Sequence, residues 1–236
     1  MLEVKGIHTY RGPAHILNGV SLSVKAGEVV CLVGRNGAGK TTTIESIIGL
    51  LPVRQGTIEF REKDITALPA YLRAREGLGF AQEDSDLFPD LTVAENLELC
   101  KLISASTKRR ETEKTIDERI NTVFPEIRAL LGRQGLHLSG GQKKMVAIGR
   151  AMALAPALLL LDEAFEGLAP VVVNRFRDAV IKIKEMGISL LIAESNLVNA
   201  SNIADRLYAI DRGEIIFHGK PQEALANEDV MRTLRG

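Results

Sequence analysis

Apolar residues follow two different spacings along this chain, and the switching between them predicts the architecture. Continuous runs over residues 29–33, 157–161 and 188–193 predict strands buried on both faces, as in a parallel sheet covered by helices. Ile44, Ile47, Ile48 and Leu51 recur at helical spacing and predict a helix over residues 42–51. Val172, Phe176, Ala179, Val180 and Ile183 mark an amphipathic crossover helix between the last two runs, which completes a βαβ unit. Leu2-Glu3-Val4 and Val20-Ser21-Leu22-Ser23-Val24 alternate, predicting half-buried strands near the start. Near the end, Tyr208-Ala209-Ile210 and residues 214–217 predict a hairpin that turns through Asp211-Arg212-Gly213. From about residue 91 to 155 the pattern is wholly helical: Thr92-Val93-Ala94-Glu95 fits a capping box, Ile116, Ile120, Val123 and Phe124 keep a helical period, and residues 143–154 continue it. That stretch is an insertion into an α/β core made of residues 1–90 and 156–236.

Composition narrows the partners. With 236 residues and 45% hydrophobic side chains the chain has ample material for a packed interior. Thirty basic and thirty acidic residues cancel, so no excess positive charge announces nucleic acid, and none is expected as a partner. The two cysteines, Cys31 and Cys100, make no disulfide framework and suit a reducing cytoplasm. The longest apolar stretch, residues 151–161, is broken by Pro156 and is too short to span a bilayer. No signal peptide is predicted either, so any membrane connection is expected to run through partner proteins. His8, His15, His137 and His218 have no metal-ligand spacing among them.

The chemistry begins at Gly34-Arg35-Asn36-Gly37-Ala38-Gly39-Lys40-Thr41, which fits G-x-x-x-x-G-K-[ST] between a predicted strand and a predicted helix. In such a loop the backbone N–H groups cradle phosphates, the lysine reaches the β and γ oxygens, and the hydroxyl of Thr41 is offered to Mg²⁺. Thr42 extends the same segment. By itself the loop permits kinases, GTPases, helicases and transport ATPases. Two further segments narrow the choice. Leu138-Ser139-Gly140-Gly141-Gln142 precedes a predicted helix, and the apolar run 158–161 ends in Asp162-Glu163. The first carboxylate suits a Mg²⁺ shell and the second can orient or deprotonate a water.

With these three segments in order, the chain resembles the nucleotide-binding subunits of ABC transporters over its full length. The resemblance implies a P-loop NTPase (RecA-like) α/β core, an N-terminal antiparallel β subdomain and an inserted α-helical subdomain. It implies ATP and Mg²⁺ as ligands, and a head-to-tail pair of such domains in which Ser139, Gly140, Gly141 and Gln142 contact the γ-phosphate held by the other subunit. Thr9-Tyr10-Arg11-Gly12, Leu87-Phe88-Pro89-Asp90-Leu91-Thr92-Val93, Gly167-Leu168-Ala169-Pro170, Ala204-Asp205-Arg206 and Asn227-Glu228-Asp229-Val230 are most similar to the ATPases of branched-chain amino-acid importers and of their urea and amide importer relatives. That likeness implies a second ATPase subunit, as a heterodimer or a homodimer, two integral-membrane permeases and, indirectly, an extracytoplasmic solute-binding protein. The chain would then sit on the cytoplasmic face of the inner membrane.

Several positions depart from the family pattern. Glu83 occupies the place of the usual Mg²⁺-ligating glutamine, with Gln82 beside it as the alternative. Ser195 stands where a γ-phosphate-contacting histidine is usual, and it can donate a hydrogen bond without carrying positive charge. Ala164 and Phe165 follow Glu163 in place of the usual proline and small hydroxyl residue. Tyr10 is expected to stack on adenine, one residue before Arg11. These departures keep two other readings open: a soluble ABC-type ATPase, and a weakly catalytic subunit that binds ATP to hold its partner.

Overall fold

Residues 1–82, 86–105 and 112–235 are described by the computed structural model. The first half contains strands β1 (Leu2–Arg11), β2 (Ala14–Val24) and β3 (Val29–Val33), helix α1 (Lys40–Ile48), strands β4 (Val53–Phe60) and β5 (Lys63–Asp64), helix α2 (Ala70–Glu76) and strand β6 (Leu78–Ala81). The helical stretch holds α3 (Val93–Ala105), α4 (Glu113–Val123) and α5 (Gly140–Ala153), with two short 3₁₀ turns between the last two. The remainder is β7 (Leu158–Asp162), α6 (Pro170–Glu185), β8 (Ser189–Glu194), α7 (Leu197–Ser201), β9 (Arg206–Asp211), β10 (Glu214–Gly219), α8 (Pro221–Ala226) and α9 (Glu228–Arg235).

Two sheets result. One is antiparallel, in the order β2-β1-β4-β5; the other runs β10-β9-β3-β8-β7-β6, parallel except for its terminal hairpin partner β10. The central strands β3, β7 and β8 are buried at every position, which explains their unbroken apolar sequence. Ile44, Ile47 and Ile48 of α1 pack into the core between the two sheets, with Val30, Leu32, Leu160 and Phe60; each such burial contributes roughly 1.5–3 kcal/mol. On the opposite face α3, α4, α5 and α6 form a second core around Val146, Ile120, Phe124 and Phe176.

The boundaries differ from the sequence expectation in ways that have physical causes. The helix predicted over residues 42–51 stops at Ile48, because Gly49 takes φ 87 and its N–H bonds back to Glu45 O. The wholly helical stretch contains the 3₁₀ turns and a β-bridge between Thr92 and Gln134. Its predicted capping box is present: Thr92 N donates to Glu95 Oε2 at 2.7 Å and Glu95 N to Thr92 Oγ1 at 3.2 Å. The helix expected from residue 143 begins three residues earlier, at Gly140. The strands expected at 157–161 and 188–193 each lie one residue later, so both end on a carboxylate. Strands β4, β5 and β6 and helix α2 had no clear periodic signal.

One buried cation secures the start of this arrangement. Arg73 is 2% exposed and donates to Ser46 O, Ile47 O, Thr66 O and Leu68 O at 2.7–2.8 Å. Two of those carbonyls belong to the last turn of α1, where a positive charge complements the helix dipole. Arg73→Met is therefore expected to lower unfolding free energy by about 3–5 kcal/mol, because it strands carbonyls that burial has removed from water. A urea midpoint equal to that of the parent protein would disprove this role.

Candidate active site

Parallel register sets the geometry of the site. Val33 pairs with Glu194 across β3 and β8, and Asp162 with Ala193 across β7 and β8, so three strands end side by side. After β3 the chain passes through residues 34–39 into α1. A Cβ at Gly34 would lie 2.5 Å from Ile210 O, and Gly39 has φ 112 with Leu17 Cδ2 2.9 Å from a Cβ built there. Neither position admits a side chain without displacement. Gly39 is also the N-cap of α1 and offers no side chain to its first N–H groups, the arrangement that favours an anion at a helix N-terminus.

Above this loop lies a cleft of about 360 Å³. Asn36, Gly37, Gly39, Lys40, Thr41 and Thr42 line one wall, Arg11 and Ile16 of the antiparallel sheet another, and Glu163 and Glu166 a third. Arg11 is held there by an ion pair to Glu45 and by donation from Nε to Thr42 Oγ1 at 3.2 Å. A larger groove of about 720 Å³ between the antiparallel sheet and the β9–β10 hairpin has no comparable cluster of loop amides and buried charges.

Lys40, 4% exposed, is the buried cation of the cleft, beside the exposed Arg11. Its ammonium donates to Gly34 O at 2.8 Å and Arg35 O at 3.1 Å and pairs with Glu163 Oε1 at 2.9 Å. The other oxygen of Glu163 accepts from Ser195 N at 3.2 Å. Glu163 adopts φ 47, a left-handed conformation that costs an L-residue roughly 1–2 kcal/mol. Its N–H donates to Ala193 O at 3.0 Å and its carbonyl accepts from Lys144 Nζ at 2.6 Å, which fixes both ends of the peptide.

Glu194, which sequence reasoning passed over as the step before Ser195, is a third buried charge here. It is 1% exposed, and its Oε1 accepts from Asn196 N at 2.9 Å and lies 3.5 Å from Ser195 Oγ. Burial raises its carboxyl to about 7, with the negative charge of Glu163 adding to the rise and the Asn196 amide and Lys40 opposing it. The available signal was an acidic residue closing an otherwise apolar strand, as Asp162 closes β7.

The other predicted residues divide into those near the cleft and those away from it. Gly34 to Thr42, Glu163 and Ser195 come together. Asp162 is buried at the end of β7, 3% exposed. Tyr10 is not part of the cleft lining; its ring stacks on His15, with centroids 4.2 Å apart and planes 3° from parallel. Gln82 lines a separate groove of about 250 Å³ with Leu50, Phe80, Cys100 and Arg150, and Glu83 lies outside the described residues. Ser139, Gly140, Gly141 and Gln142 also stand outside the cleft. Ser139 caps α5 through a reciprocal pair, Ser139 N to Gln142 Oε1 at 3.0 Å and Gln142 N to Ser139 Oγ at 3.4 Å. Ser139 and Gly140 are exposed, so this helix N-terminus faces outward.

The donor set suits a small hard cation carried in with phosphate. No group of three or more His, Cys, Asp or Glu among the described residues could hold a metal by itself. Mg²⁺, however, is ordinarily bound through one or two protein oxygens, substrate phosphates and water, and Thr41 at the head of α1 and Asp162 at the end of β7 carry oxygen donors of that kind.

Comparison with known proteins agrees with this geometry. Residues 17–166 match the family model described as ABC transporter. The chain is 35% identical to the lipopolysaccharide export system ATP-binding protein LptB of Escherichia coli (strain K12), over 96% of this chain and 93% of that protein. It is 32% identical to the high-affinity branched-chain amino acid transport ATP-binding protein BraG of Pseudomonas aeruginosa, over 98% and 97%. A crystal structure of the ADP conformation of an ATP-binding cassette of an ABC transporter superposes with TM-score 0.83 at 30% identity, covering 100% of this chain and 98% of that one.

The raised Glu194 carboxyl predicts a pH signature. Between its ordinary value near 4.5 and about 7 the folded chain retains a proton that the unfolded chain releases, so this residue's contribution to stability is full below pH 4.5 and falls as pH rises to about 7. Relative to Glu194→Gln, the parent protein is expected to lose melting temperature across that window and to run parallel above it. Parallel curves throughout would show that folding does not raise this carboxyl.

Proposed function

The chain belongs to the ABC transporter family of ATP-binding subunits, and on that footing we propose that it powers an importer for branched-chain or other hydrophobic amino acids. Its enzymatic activity is ATP hydrolysis, as in the family; the solute is the part inferred. Support for amino-acid import comes from the near-complete alignment with BraG and from the segments Gly167-Leu168-Ala169-Pro170 and Ala204-Asp205-Arg206. The 35% identity to LptB is equally close, so identification of the permeases that co-purify from membranes decides between amino acids, urea or amides, and an export substrate. Among the described residues no helix is long and apolar enough to cross a membrane, in keeping with attachment through permeases at the cytoplasmic face. Gln82 and the neighbouring groove are the surface we assign to that attachment.

The observation that carries the catalytic reading is Glu163, held between the Lys40 ammonium and the Ser195 amide. Phosphate entering the loop competes with Glu163 for Lys40. The carboxylate, released from that ion pair and still oriented by its fixed backbone, can then accept a proton from water placed in line with the γ-phosphate. Lys40 and the loop amides hold the β and γ oxygens, with Asn36, Gly37 and Gly39 at the wall. Thr41 and Asp162 would hold Mg²⁺, with Gln82 or the neighbouring Glu83 as the further oxygen donor expected from the sequence, and when bound it would neutralise charge on the phosphate oxygens. Arg11 and Ile16 bound the side of the cleft assigned to the base, and the Tyr10–His15 stack stands outside that lining. The 139–142 segment, exposed at Ser139 and Gly140, supplies its helix N-terminus to the nucleotide of a second ATPase subunit, which explains its place outside this chain's own cleft.

Ser195 weakens one element of this site. Its hydroxyl lies toward Glu194 and adds no positive charge near the γ-phosphate. Loss of one preorganised donor can cost roughly 10²–10³ in rate. The isolated chain is therefore expected to turn over slowly, and Ser195→His to raise its rate. Glu163→Gln should abolish most hydrolysis while preserving ATP binding and favouring an ATP-held dimer. Lys40→Ala is expected to remove MgATP binding in calorimetry, and unchanged affinity in a folded Lys40→Ala protein would refute the phosphate assignment.

A further inference from the structure

One side chain outside the cleft reaches the turn that holds Glu163. Lys144 stands on α5, two residues beyond Gln142, and its ammonium donates to the main-chain oxygens of Glu163 at 2.6 Å and Glu166 at 2.8 Å. The same Glu163 oxygen accepts from Glu166 N at 3.2 Å. Residues 163–166 thus make a closed turn with a cation across its two free-facing carbonyls. Glu163 enters that turn at φ 47, a conformation that persists only where the surroundings over-determine it. Ala193 O fixes the amide side of the residue and Lys144 the carbonyl side, and the direction of the carboxylate toward Lys40 and Ser195 follows from both.

We propose that Lys144 is a positioning residue for Glu163, and that it ties the setting of this carboxylate to the seating of α5. Hydrogen bonds from an ammonium are about twice as strong as neutral ones, so Lys144 outweighs the Glu166 amide as the restraint on that carbonyl. The consequence is communication between two nucleotide sites through a contact inside one chain. The first turn of α5 is the 139–142 segment, assigned above to the partner's γ-phosphate. When α5 moves on engaging that phosphate, Lys144 moves with it, and the Glu163 turn in this chain's own cleft is reset. The inference rests on the reading of Glu163 as the water-orienting carboxylate.

The test compares the full-length chain with Lys144→Met, Lys144→Arg, Glu163→Gln and the Lys144→Met/Glu163→Gln double variant. Each is measured by hydrolysis of MgATP in a single turnover with the protein in saturating excess, by titration with a fluorescent ADP, and by thermal melting. Lys144→Met is expected to lower the rate by about 10- to 100-fold, the cost of a misplaced catalytic group. ADP affinity should stay within about twofold, with melting unchanged. Lys144→Arg, which keeps a cationic donor, should recover most of the rate. The double variant should be no slower than Glu163→Gln alone, because Lys144 acts through Glu163. If Lys144→Met does not fold, Lys144→Gln replaces it, keeping a neutral donor and an expected loss of about tenfold. Full activity in the Lys144 variant while Glu163→Gln is inactive, or a loss that adds to that of Glu163→Gln, overturns this inference alone. Full activity in Glu163→Gln overturns the catalytic reading beneath it.

Discussion

Parallel pairing of β8 with β3 on one side and β7 on the other is the constraint from which the rest of the structure follows. Evenly spaced slanted hydrogen bonds leave the three strands ending at nearly one height, so Val33, Asp162 and Glu194 become neighbours although more than a hundred residues separate the first from the second. In an open α/β sheet the space beyond the carboxyl ends of the strands is where ligands bind. Here that space receives the N-terminus of α1 from one strand and carboxylates from the other two. The antiparallel sheet and the helical stretch cover the two faces and let this end stay partly open.

Placing Lys40, Glu163 and Glu194 together beneath such a cleft costs stability. Desolvation of buried charges commonly offsets the attraction between them, and burial raises the Glu194 carboxyl in the same sense. The backbone of Glu163 adds strain at the same point. Compensation comes from a distance, through the apolar packing of β3, β7 and β8 and through Arg73, which satisfies the end of α1 while the head of that helix is kept for an anion. One helix therefore has a secured end and an available end, and the chemistry is at the available one.

How much of this was readable from residues alone depends on whether a signal is local. The 34–41 loop, the 138–142 segment and Asp162-Glu163 each combine composition with spacing, so their placement between predicted elements was legible. The central strands were legible because burial on both faces leaves no polar position. By contrast, β4 and β5 mix exposed charges with few buried residues, and their pairing with β1 is a long-range event that no local pattern encodes. Glu194 and Lys144 were missed for a related reason. Their partners lie on other elements, so an acidic strand end and a lysine on a polar helix face read as solvated until the fold buries the one and reaches the other across to the 163–166 turn.

Cys31 lies at the centre of the sheet, fully buried, and burial pushes its thiol well above the ordinary range. Cys100 is partly exposed and lines the groove that contains Gln82 and Arg150. Burial raises the Cys100 thiol as well, so access rather than acidity separates the two, and the folded chain offers a chemist a single address for alkylation. A fluorophore attached there would sit in the groove assigned to the permease without any cysteine having been added or removed. Complex assembly could then be followed on the native sequence as a change in emission.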